Sequence, residues 1–141
     1  MSKRKETLTI RLPYLPAREL SPNWRSFMPG AMFAVKRERD QLQQDVAILA
    51  KAELSRVGID QRPAFRRISI KYTFLVPTQR HRDADNYIAR MKPAQDALVK
   101  IGVVQDDTHD LVMTEHPCFK KVKSVPPWGD IGTIIEIKGA E

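Results

Sequence analysis

The chain has 141 residues, of which 42% are hydrophobic and 29% charged, and carries a formal net charge of +7 at a pI near 9.8. Such totals suit one globular domain with one core and exclude a disordered chain. The single cysteine, Cys118, excludes an internal disulfide and a cysteine-based zinc cluster, and no apolar run approaches the roughly 20 residues that span a bilayer.

Thr7 to Leu12 alternates through Leu8, Ile10 and Leu12 and stops at Pro13, so it predicts a short strand. From Pro13 to Gly30 the prolines at 13, 16, 22 and 29 predict an ordered surface loop. Ala31 to Val57 predicts a long helix, because Val35, Leu42, Val46, Leu49, Ala50, Leu54 and Val57 recur at threes and fours before Gly58. Lys36, Arg37 and Arg39 fall on its polar face. Arg66 to Val76 is the clearest strand, with Ile68, Ile70, Tyr72, Phe74 and Val76 on one side and Pro77 closing it. Asn86 to Ile101 reads as a second helix ended by Gly102. Leu111 to Thr114 reads as a strand, Pro126 to Gly129 as a turn, and Ile131 to Ile137 as the last strand. The order β-α-β-α-β-β predicts an α/β fold in a single domain over residues 1–141, a mixed sheet with flanking helices. No secretory signal is expected, since no apolar stretch follows the charged Met1–Lys5. A reducing cytoplasm is the expected compartment, with no membrane partner.

The charge is unevenly spread. Between Asp83 and Glu115 lie seven acidic residues and three basic ones, a net of −4, and the remainder carries a net of +11. Carboxylates repel phosphate, so a purely DNA-binding module gains nothing from an acidic island. An enzyme that brings divalent cations to phosphodiesters gains both features, basic walls for the backbone and carboxylates for the metal. Chance clustering on solvated faces explains the composition equally well.

Asp83 and Asp85 sit just past the strongest strand and just before a helix. In an extended segment both carboxylates point the same way, so two oxygens can approach one cation. Asp85 or Asn86 could instead cap the helix. A second pair, Asp106 and Asp107, comes after the helix, and only one of the two would face the first site. The two loops lie at opposite helix ends unless the segment from Gln105 to Leu111 doubles back antiparallel to the helix. Three carboxylates and water would then make a hard-oxygen site suited to Mg²⁺ or Mn²⁺. Lys92 lies seven positions after Asp85, about two turns on, and could stabilise charge on a phosphate. Pro93 disturbs that helix, which leaves Arg90 as a fallback for the same role. Arg80 and Arg82 flank the acidic pair and could grip phosphates, as could Lys120 and Lys121 and the further cations Arg62, Arg66, Arg67 and Lys123. His81, His109 and His116 lack metal-ligand spacing. Trp24, Phe27 and Trp128 could wedge between bases, although core or dimer packing is the commoner fate of such residues.

Arg82-Asp83-Ala84-Asp85-Asn86, then Lys92 through Gln95-Asp96-Ala97-Leu98, then Gly102-Val103-Val104-Gln105-Asp106-Asp107 resemble the RusA-type Holliday junction resolvases of bacteria and their phages. Leu20-Ser21-Pro22-Asn23 is similar to the family's early Ser-Pro-Asn segment. The likeness covers most of the chain, with its specific part at residues 82–107. It implies a RusA-like fold and a homodimer that nicks two strands of a four-way DNA junction symmetrically with Mg²⁺ or Mn²⁺, in recombination and repair. It implies Asp83, Asp85 and Asp107 as catalytic and metal-binding carboxylates, a lysine in the following helix, and a chain that doubles back. The stretch from Asp85 to Asp96 is about three residues longer than in shorter members, so the lysine maps to Lys92 across that insertion, and the ungapped position holds Ala89. Alternatives are a nuclease for flaps, forks or other branched DNA, and a structure-selective DNA-binding protein that does not cut. The long helix and the N-terminal strand are the first candidates for a dimer contact.

Overall fold

The computed structural model of the chain describes residues 6–22, 24, 30–78, 81–123 and 130–140. In chain order its elements are β1 (Thr7–Leu12), a 3-10 turn (Arg18–Leu20), α1 (Ala31–Val57), β2 (Arg67–Val76), α2 (Ala84–Arg90), α3 (Lys92–Ile101), β3 (Val112–Thr114), β4 (Cys118–Lys121) and β5 (Gly132–Ala140). Among the described residues this is one small α/β domain with a mixed five-stranded sheet. The expected turn at Pro126–Gly129 lies outside the described residues. No described helix is long and apolar enough to cross a membrane.

The alternating β2 lies at the centre. It pairs antiparallel with β5, from Arg67↔Ala140 to Leu75↔Gly132, and β5 pairs antiparallel with β1. On its other side β2 pairs parallel with β3 (Ile68↔Val112) and, further along, with β4 (Thr73↔Cys118). Parallel neighbours need a crossover, and α2 and α3 supply it between β2 and β3. One sheet face is mostly apolar, with Thr133 its buried polar exception. Leu8, Ile10, Ile68, Ile70, Tyr72, Phe74, Ile135 and Ile137 are each at most 1% exposed. Leu42, Val46, Ala50 and Leu54 of α1, with Ala94, Ala97 and Leu98 of α3, close that core.

The single helix expected from Asn86 to Ile101 is two helices that meet at Met91. Pro93 sits in the first turn of α3, where its missing N–H costs nothing but where a continuous helix would need a bond to Ala89. α1 and α3 both end on glycines in the left-handed region, Gly58 at φ 75° and Gly102 at φ 87°. The strand expected from Leu111 to Thr114 is β3, and a further short strand, β4, follows after residues 115–117.

Helix α1 also closes the open edge of β1. Glu53 accepts the Thr9 N–H at 2.8 Å and is itself held by Arg56 at 2.7 Å. The Tyr14 hydroxyl donates to Asp45 at 2.5 Å, while the Tyr14 carbonyl accepts from the Thr133 hydroxyl at 2.8 Å, so the loop after β1 is fastened to both layers. Burial, then the Asp45 bond, raises the Tyr14 phenol above its ordinary value.

The two faces of α1 should respond differently to truncation. Leu54→Ala, at a site 1% exposed, is expected to lower unfolding free energy by about 2–5 kcal/mol. Ile48→Ala, at a site 57% exposed, should change it by less than about 0.5 kcal/mol. Denaturant midpoints measured on both variants check this, and equal losses would mean that α1 docks by another face.

Candidate active site

Asp83 occupies the N-cap of α2, with extended backbone (φ −79°, ψ 107°) and Oδ1 accepting the Asn86 N–H at 3.2 Å. Capping, expected of Asp85 or Asn86, therefore falls to Asp83, because α2 starts at Ala84 rather than Asn86. Asp83 and Asp85 are both exposed, and Asp85 adds negative charge to the first turn of α2. Asn86 turns inward. Its Nδ2 donates to the Ser21 hydroxyl at 2.7 Å, and its Oδ1 accepts from Arg90 Nε at 2.8 Å. Arg90 also reaches the Pro16 carbonyl at 3.4 Å and lies 4.6 Å from the centroid of the Tyr87 ring. Ser21 and Asn86 are 65 residues apart, so the Ser-Pro segment and the Asp-x-Asp-Asn segment form one structural unit. Asn23 of that segment lies outside the described residues.

The second half of the site forms where the chain leaves α3. Gly102 and Val103 carbonyls accept the Ala64 and Phe65 N–H groups at 2.8 and 3.0 Å, and Val103 and Val104 are buried. Beyond that anchor the chain doubles back. Asp107 meets Lys92 Nζ, which stands at the opposite end of α3 from Gly102. Asp106 points elsewhere, its Oδ1 accepting the Asp107 N–H at 2.8 Å. Of the pair, only Asp107 enters the site. Lys92 also lies 3.4 Å from Asp96 Oδ1, one turn along α3. The Asp107 bond holds the Lys92 ammonium above its ordinary pKa, and the same bond holds the Asp107 carboxylate below its own.

Asp83 and Asp85 stand at the start of α2, while Lys92 and Asp107 stand past its end. The seven residues of α2, roughly 10 Å of rise, follow Asp83, and five of them follow Asp85. Among the described residues no three Asp, Glu, His or Cys side chains gather closely enough to hold one metal ion. In this arrangement Asp83, Asp85 and Asp107 do not make a donor set for a single Mg²⁺ or Mn²⁺, whose oxygen ligands lie near 2.0–2.2 Å.

The basic candidates divide. Arg82 bonds its own loop, to the Thr78 carbonyl at 2.7 Å and hydroxyl at 3.1 Å. Arg90 is spent on the internal network above and is half-buried, which suits a strut better than a phosphate contact. Lys120 and Lys121 are exposed on β4 opposite Leu75 and Val76, so they flank the end of β2 from which the chain runs to Asp83. Arg80, Phe27 and Trp128 lie outside the described residues. Trp24 is half-buried beneath Arg18, and its buried indole N–H has no partner among the described residues.

Sequence reading did not single out Ser21 as a partner of Asn86, Arg90 as its clamp, or Gln95. Gln95 Nε2 donates to the hydroxyl of Tyr72 at 3.2 Å, and burial pushes that phenol up to about 12. The four-residue spacing of Asn86 and Arg90 was the available signal. Comparison with protein-family models gives no match for the chain, and comparison with curated proteins gives none.

Lys92 is more than half exposed, so its ion pair should contribute no more than about 1 kcal/mol to folding. The lowered Asp107 carboxylate makes that contribution available above its ordinary pKa of 3.8, and it is lost as pH falls through the lower folded value. Asp107→Asn is therefore expected to shift unfolding free energy at pH 7 by under about 1 kcal/mol. Asn86→Ala strips partners from Ser21 and Arg90 and should cost about 1–3 kcal/mol. Chemical denaturation of the two variants checks the order, and a larger loss in Asp107→Asn would make the ion pair a structural element.

Proposed function

We propose that the chain is a divalent-cation-dependent endodeoxyribonuclease of the RusA type, acting in the cytoplasm as a homodimer that nicks four-way DNA junctions symmetrically. The observation that carries this reading is the return of Asp107 to Lys92, which holds an ammonium beside a carboxylate on the crossover between β2 and β3. Such a lysine is protonated at neutral pH and can lie against a non-bridging phosphate oxygen as negative charge grows there. Asp107 positions it. Lys120 and Lys121 would hold the DNA backbone without reading bases. The Ser21–Asn86–Arg90 network fixes the start of α2, and with it the directions of Asp83 and Asp85.

The divalent ion enters this reading from the resemblance, and its chemistry when bound is to activate water and neutralise phosphate charge. The resemblance gives it Asp83, Asp85 and Asp107, and bringing the third to the first two needs an arrangement other than the one described. A second reading is favoured by that separation and by the Asp83 cap: a branched-DNA binder whose carboxylates only shape α2 and its loops.

Asp83→Asn decides between them, because asparagine caps a helix about as well as aspartate while removing the charge. Fold stability should stay within about 0.5 kcal/mol. With a labelled four-way junction, wild type is expected to give paired nicks in Mg²⁺ and none in EDTA. Asp83→Asn should bind the junction yet cut it at least about 100-fold more slowly, and Lys92→Ala should lose roughly 100- to 1,000-fold. Wild-type binding without cutting in Mg²⁺ and Mn²⁺ would establish the second reading.

A further inference from the structure

The sheet has a second face. Both long helices pack on the side of Ile68, Ile70, Tyr72 and Phe74, and no described element covers the other side. Pair register lays that open face out in rows. Thr9, Glu136 and Lys71 form one row across β1, β5 and β2. Arg11, Ile134, Thr73 and Cys118 form the row toward β4, and Thr7, Lys138, Ser69 and the exposed Met113 form the row on the other side. Arg67 and Lys120 stand near the two ends of β2 on the same face. Arg11, Arg67, Lys71, Lys120 and Lys138 are all exposed, and Glu136 is the one acidic side chain among these face positions.

We propose that this open sheet face is a second DNA-contact surface, which holds a duplex arm by its phosphates on the side of the sheet opposite Lys92 and Asp107. Charge complementarity selects the occupant. Five cations against one carboxylate suit a polyanion, whereas a second copy of the chain would stack like charge on like charge. Among the described residues no aromatic ring stands on the face for unpaired bases to stack on, and its spread of cations suits phosphate contact to a duplex. Cations from β1, β2, β4 and β5 are spread over a surface about four strands wide, at nearly 5 Å per strand, which presents charge to a backbone and not to one small anion. The inference deepens the proposed function, since it rests on DNA as the partner. It also gives that partner a shape, because a stiff linear duplex cannot easily lie on both sides of a sheet, whereas two arms of a branched molecule can.

The test compares two variants that remove equal charge. One carries Arg11→Gln, Lys71→Gln and Lys138→Gln on the open face. The other carries Lys36→Gln, Arg37→Gln and Arg39→Gln on exposed positions of α1. Binding of a four-way junction and of a linear duplex is followed by fluorescence anisotropy in EDTA across a salt series. The face variant should bind the junction at least about tenfold more weakly, and the slope of log K against log salt should shrink by about 2–3. The α1 variant should keep most of both. Glu136→Gln should tighten binding, a gain that misfolding cannot mimic. Equal behaviour of the two triple variants, or an altered monomer–dimer balance in the face variant with unchanged DNA binding, overturns the proposal. Wild-type junction cutting in Mg²⁺ is read separately: cutting with an inert face leaves the nuclease reading standing, and a DNA-binding face without cutting leaves only this inference.

Discussion

Strand β2 has partners on both sides, antiparallel to β5 and parallel to β3 and β4, and that parallel pairing dictates the route of the chain through the site. A chain leaving the end of β2 must travel back along the sheet before it can start β3 in the same direction. Helices α2 and α3 make that journey on the apolar face. The chain leaves α3 at Gly102, is tied to Ala64 and Phe65 beside the start of β2, and turns back far enough to set Asp107 on Lys92. A carboxylate beyond one end of α3 thereby meets a lysine at the other.

The electrostatic consequences come from the same layout. Acidic residues crowd the crossover because its loops are short, exposed and close to helix ends, where Asp83 caps α2 and Asp106 bonds the next backbone N–H. Lys92 neutralises one member of that group and is held by it. The strands of the sheet carry the opposing charge, Lys120 and Lys121 near the crossover and Arg11, Lys71 and Lys138 on the uncovered face. Basic strands around an acidic crossover give the uneven charge along the chain a spatial meaning.

Much of the fold was legible where one local signal settled the matter. α1 runs from Ala31 to Val57 as its periodicity and Gly58 require, and β1 has the limits set by its alternation and Pro13. Signals that compete were less readable. Pro93 both breaks a helix and starts one, and the second outcome divides the expected helix at Met91. β4 shows no alternation because three of its four residues are exposed, so only its pairing to β2 reveals it as a strand. β5 runs on to Ala140 past the expected Ile137, since its last residues pair with Arg67 and Ile68. In the site, the inward turn of Asp107 and the outward turn of Asp106 agree with neighbouring residues facing opposite ways. The union of Ser21 with Asn86 is a contact across 65 residues, which no local pattern encodes.

The proposed joint action of Lys92 and Asp107 on a DNA phosphate is tested most directly by a double-mutant cycle on junction cutting. Lys92→Ala, Asp107→Asn and the double variant are compared by single-turnover rate at saturating protein. If the two residues act together, the double variant should cut about as slowly as the worse single variant, because each loss already removes the unit. Rate losses that multiply in the double variant, or single variants that cut at the wild-type rate, would contradict it.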